Sequence, residues 1–368
     1  MTSKIISQCA ICILATSTGL HAITWKSATD GDWNTPANWT DGAVPTESDE
    51  AKLNKAASVT LSDGVVVNNL VTGNNSTLTI SSGGSLTVET DADVGNLGTD
   101  AYGTVVVDGG TLTIADRLFL GRYDDTRTGT LQLNSGNISI GNNTLAPKTN
   151  GDLAYTSKVV QIGGNNLGSG FVNMAGGNFT VYGQFWVGSA GEGTLNLSGG
   201  TLDISAGDWQ NLRIGHQTGN GTVNMTGGTL VTKGIVMDNN AAGDANINLD
   251  GGTLIVNGGF TSAIDIDNPN VELAISDGVF KWQSNRISDL DGMITGGLIT
   301  FSTSTVSTIT ATAEQSWTAA DGTILYADTD ELKSGFTTLW ATAVVPEPST
   351  YGFLFGSFLF AWAMLRRR

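Results

Sequence analysis

The sequence predicts an all-β chain, a parallel β-helix with three short strands per coil, and three observations predict it. The first is a recurring unit, typified by GTLNLSGGTLDI at Gly193–Ile204, in which two alternating runs flank a Gly-Gly corner. Strand side chains alternate faces, so Leu195, Leu197, Leu202 and Ile204 fall on one side and Thr194 and Asn196 on the other. The unit recurs at Thr77–Val88, Val105–Ile114, Thr130–Ile140, Phe171–Val181, Thr222–Thr232 and Asn246–Val256. The second is spacing: Gly84, Gly110, Gly136, Gly177, Gly200, Gly228 and Gly252 stand 26, 26, 41, 23, 28 and 24 residues apart. The long interval holds an insertion near 142–157. The third is a further short run ahead of each pair: LFLG from Leu118, VQIG from Val160, WVG from Trp186, LRIG from Leu212 and IVM from Ile235.

A fixed period in the twenties marks a solenoid whose repeats cannot bury their apolar faces alone. Three strands and three turns fill such a period, each strand lying ~4.8 Å from its equivalent in the next coil. Parallel crossovers favour the right hand. Leucine-rich repeats would need a helical segment or Leu-x-x-Leu-x-Leu spacing, and propeller blades about 40 residues or more. Composition agrees: 49 glycines in 368 residues, with few charges, suits short strands and tight turns. The net charge of −17, with sparse Lys and Arg, argues against a nucleic-acid partner.

In chain order, residues 1–22 read as a secretory signal peptide. Lys4 opens it, a mostly apolar stretch follows, and Leu20-His21-Ala22 offers a small-residue cleavage site at Ala22. Cys9 and Cys12 both lie inside it, so the mature chain is expected to lack cysteine and disulfides. Residues 23–58 form a Trp-rich segment. Trp25, Trp33 and Trp39 either present flat faces to sugar rings or cap the open end of the solenoid, where core and strand edges would otherwise be bare. This lead-in resembles that of bacterial secreted β-helix proteins with autotransporter-type strand repeats, which implies a cap.

The coils are expected over 59–302. Asn134, Asn173, Asn196, Asn224 and Asn248 recur near strand ends, where stacked amides can hydrogen-bond along the axis. The middle residues of the third runs are Phe119, Gln161, Trp186, Arg213 and Val236, predicting an outward column. Phe119, Trp186 and Arg213 are its candidate glycan-binding residues. The densest charged cluster is Arg122, Asp124, Asp125 and Arg127. Paired carboxylates there could serve hydrolysis or, with a metal, bind uronates, but no matching Asp, His or Lys accompanies them on adjacent coils. Turn Asp residues flanked by Arg are ordinarily solvated. The calcium nonapeptide is absent, since GGNNLGSGF at Gly163 lacks its Asp. His216 alone makes no metal site, and no cofactor is expected. Residues 303–343 read as a C-terminal cap, too short for a membrane barrel.

Residues 344–368 are the most specific stretch. Val345-Pro346-Glu347-Pro348-Ser349-Thr350 precedes the apolar YGFLFGSFLFAWAML and then Arg366-Arg367-Arg368. Fifteen apolar residues make a short span, and the arginines orient its end to the cytoplasm. This tripartite tail resembles the PEP-CTERM sorting signal of Gram-negative bacteria. The resemblance implies that Pro346, Glu347 and Pro348 are read by an exosortase, which removes the tail in the inner membrane. It also implies sorting alongside exopolysaccharide to the cell surface or biofilm matrix. The expectation is therefore an exported, non-enzymatic structural or adhesive protein. Its partners would be the exosortase, the secretion machinery and an exopolysaccharide. The alternative is a β-helix lyase or hydrolase acting on an acidic polysaccharide.

Overall fold

The computed structural model describes residues 20–98, 101–123, 126–142, 159–164, 167–207, 211–237, 243–258, 271–303, 305–309 and 312–343. Most of the leader, the tail from residue 344, and Asp124 with Asp125 lie outside them. Within them the chain is an all-β parallel solenoid of about nine turns, with one α-helix, Ile287–Thr295. No described helix is long and apolar enough to cross a membrane.

One side is a nine-stranded sheet built from the short third runs. Its strands are His21–Thr24, Asp49–Leu53, Asn69–Gly73, Asp91–Leu97, Arg117–Leu120, Val159–Ile162, Gln184–Val187, Asn211–Ile214 and Gly234–Met237, in that order. The alternating runs make the remaining sides. Tyr102–Ile114 passes through its glycine corner and pairs in parallel with Thr128–Ile140, setting Val105 against Leu131 and Leu112 against Ile138. The register slips at Asp108, where the corner inserts its extra residue.

The corner needs one residue at positive φ, a conformation that Gly adopts without a Cβ clash. In the early coils that residue is the first of the pair, Gly83 (φ 89°) or Gly109 (87°). In later coils it is the second, as at Gly200 (78°). The aligned glycines Gly84 and Gly110 therefore sit one residue past the left-handed position.

Alternation buries one residue in two. The inward column Leu78, Val105, Leu131, Val172, Leu195, Val223, Ile247 and Leu273 is in register from coil to coil, and each member is at most 1% exposed. Burying each such side chain stabilises the stack by about 1.5–3 kcal/mol. Outside, Asn196 donates to Asn173 (2.8 Å), Asn224 to Asn196 (2.9 Å) and Asn248 to Asn224 (2.8 Å). Asn134 is not part of this ladder. Gln132 holds the position in register with Asn173, and its amide donates to Asn134 (2.8 Å) instead.

Parallel pairing begins at His21 opposite Asp49, well ahead of residue 59, so the Trp-rich stretch is itself the first coil. Its loop folds back over the outer edge of the first strand: Thr40 N–H donates to Thr24 O (2.9 Å) and Lys26 N–H to Asn38 O (2.8 Å). That covers an edge which would otherwise invite another chain. At the far end the parallel pattern stops. Phe336–Thr342 runs antiparallel between Val279–Gln283 and Ile324–Thr329, and Gln315–Thr318 adds an outer strand. Trp282 is buried and donates its indole N–H to Gly258 O (2.8 Å).

Candidate functional face

The outer face of the nine-stranded sheet carries aromatic and cationic side chains in an ordered column. In Arg117–Leu120, Leu118 and Leu120 point to the core, so Arg117 and Phe119 point away from it. Register then fixes the column as Asp93, Phe119, Gln161, Trp186, Arg213 and Val236, one per coil. The predicted column is present, and register carries it back from Phe119 through Asp93, Val71 and Lys52 to Thr24.

Its members are unevenly accessible. Phe119 (4% exposed), Gln161 (2%) and Val236 (4%) are buried, while Trp186 and Arg213 are half-buried. Phe119 is no open platform, because the Arg122 guanidinium lies 3.8 Å from its ring centroid and that of Arg117 5.4 Å away. A guanidinium is flat and weakly hydrated, so it stacks on an aromatic face while its edge stays polar.

Beneath this ring the previous coil supplies two carboxylates. Arg117 donates from Nε to Asp91 Oδ1 (3.0 Å) and from Nη2 to Asp91 Oδ2 (2.6 Å), a two-pronged pair that raises the affinity of the guanidinium for its proton. Arg122 Nη1 lies 3.6 Å from Asp93 Oδ1, too far for a hydrogen bond, and both Asp93 Oδ1 and Arg122 Nε are buried with no hydrogen-bond partner. Burial pushes the Asp93 carboxyl above its ordinary range, the Arg122 charge opposes that, and Asp91 adds to it. Arg127 also turns back, donating to Asn96 Oδ1 (2.8 Å) and to the Asn96 carbonyl.

Two coils on, the Trp186 indole N–H donates to Gln184 Oε1 (2.7 Å), which fixes the ring plane. Arg213 lies over that ring at 5.8 Å, and the His216 ring is tilted against it at 5.1 Å. Arg213 Nη1 is 3.5 Å from His216 Nδ1.

Trp25, Trp33 and Trp39 do not offer sugar platforms. They are 1%, 0% and 0% exposed and pack edge-to-face, with centroids 5.1 Å apart for Trp25–Trp39 and 4.8 Å for Trp33–Trp39. Trp39 donates its indole N–H to Trp33 O (2.7 Å). Their faces are spent on one another and on the first coil's core.

Residue-by-residue reading missed Asp91, Asp93, Arg117 and Gln184, and weighed His216 only as a metal ligand. One signal was available: Asp91 and Arg117 stand 26 residues apart, the interval of the early corner glycines, and so share a column. Asp124 and Asp125 lie outside the described residues. Among the described residues no group of three or more His, Cys, Asp or Glu side chains could hold a metal.

Residues 24–174 match a domain of unknown function (DUF8693). No curated protein and no solved structure matches. The matched stretch contains the tryptophan cluster and the Asp91–Arg127 network, and it ends at Met174, the last residue of a strand. Trp186, Arg213 and His216 lie beyond it.

Proposed function

We propose that the protein is an exported, non-enzymatic rod displayed at the cell surface or in an extracellular matrix, where the outer face of its nine-stranded sheet contacts polysaccharide. The observation that carries the contact is the in-register column itself. It sets a fixed indole, a stacked guanidinium and a phenyl capped by arginine along one straight line, as a linear polymer requires. The leader and the PEP-CTERM-like tail support the destination, with an exosortase reading Pro346, Glu347 and Pro348 while Arg366, Arg367 and Arg368 hold the end in the cytoplasm. Right-handed winding is the finer geometry we assign to the stack. The test is to isolate surface protein and measure its mass, its affinity for purified exopolysaccharide, and turnover. Loss of the tail and binding that is weakened in Trp186→Ala support the reading. Glu347→Ala is expected to trap full-length protein in the inner membrane. Surface protein that still carries Arg366–Arg368 overturns the sorting.

One observation favours a second reading, an enzyme acting on acidic polysaccharide. A buried carboxyl pushed above its ordinary range, as at Asp93, is shifted in the direction a general acid needs. Polymer cleavage that disappears in Asp93→Asn would establish it and displace the non-enzymatic reading.

A further inference from the structure

We infer that the leader is cut between Gly19 and Leu20, so that His21 and Ala22 remain in the mature protein. The inference rests on the signal-peptide reading and moves its cleavage point upstream of Ala22. His21–Thr24 is a four-residue strand, paired along its whole length with Asp49, Glu50, Ala51 and Lys52. His21 fastens its start. Nε2 lies 3.0 Å from Asp41 Oδ2 and Nδ1 lies 3.1 Å from Asp49 Oδ1, so the ring ties the strand both to the loop and to the second strand. Each ring nitrogen thus faces a carboxylate oxygen, one from the loop and one from the neighbouring strand.

A cut after Ala22 would remove half of that strand and the whole ring. It would also create an α-ammonium on Ile23, which is 4% exposed and packs in the core of the first coil. Leu20 is 44% exposed, so an α-ammonium on it sits in water. The flanking residues agree. A cut after Gly19 puts Ser17 and Gly19 at the two positions where the peptidase requires small side chains, whereas a cut after Ala22 puts Leu20 at one of them.

Intact-mass and N-terminal sequencing of full-length protein expressed with export intact tests this. A chain starting at Leu20 supports the inference. One starting at Ile23 overturns it while leaving the leader reading standing, and an exported chain starting at Met1 overturns the leader reading itself. Two variants provide an independent check. Gly19→Trp should accumulate uncut precursor, whereas Ala22→Trp should be processed at the wild-type rate; the reverse pattern refutes the assignment. In the mature protein His21→Ala should lower the thermal midpoint slightly, as the loss of an exposed pair does.

Discussion

At the level of single residues, the glycine that directly follows a strand of the nine-stranded sheet, as Gly188 follows Gln184–Val187, is among the most demanding positions. Gly188 has φ 71°, and a Cβ there would stand 2.1 Å from the carbonyl oxygen of Asn220 in the next coil. Gly188→Ala therefore meets both the left-handed penalty and a backbone clash. It should lower stability by about 2–4 kcal/mol in chemical denaturation. Two carboxylates should respond to acid with opposite sign. Burial alone would raise Asp49, but the Thr46 hydroxyl (2.6 Å), the Thr46 amide (2.9 Å) and His21 hold it below its ordinary value. Its contribution is complete above the unfolded carboxylate value and is lost as pH falls through the lowered folded one. Asp93 is raised, so the folded state favours its protonated form, and stability falls as pH rises from the ordinary carboxylate value through the raised one. Denaturation measured against pH should show less acid destabilisation in Asp49→Asn. In Asp93→Asn that fall with rising pH should disappear.

Among the structural elements, the amide ladder couples coils that the core already stacks. Asn196 donates to Asn173 and accepts from Asn224, so Asn196→Ala removes two bonds and should cost about 1–3 kcal/mol. Combined with Asn224→Ala the loss should be less than the sum of the two single variants, because the bond between them is counted in both. Most of this architecture was legible, since period-two alternation and recurring glycines depend on the local chain alone. What escaped the reading depends on where neighbouring coils place their side chains. Phe119 was rightly assigned an outward position, yet Arg122 folds back from its own turn to cover it. Asn134 lies in the same motif as the ladder residues but two positions further along its strand, which places it outside the column. The first coil was hidden because its long Trp-rich loop interrupts the alternation between strands that nonetheless pair.

For the molecule as a whole, stability is a sum of coils and their interfaces, so the ends decide where opening starts. Trp39 is fully buried, holds two aromatic contacts and donates to Trp33 O. Trp39→Ala should destabilise the first coil by about 3–5 kcal/mol. Hydrogen exchange should then accelerate in strands His21–Thr24 and Asp49–Leu53 while Asn220–Thr232 stays protected. Equal acceleration throughout would show that the stack unfolds as one unit.

The far end has a mechanical consequence. Phe336–Thr342 is held on both sides, with five registered pairs to Val279–Gln283 and six to Ile324–Thr329, and the chain leaves it at Ala343 towards the tail. A pull on that exit directed along the strand loads both ladders at once, in shear, so no single bond yields ahead of the others. The same force applied across the strand would open the ladders pair by pair. The antiparallel insertion that ends the solenoid is thus also where any pull transmitted through Ala343 enters the fold. A force entering there is borne by a strand gripped on both sides.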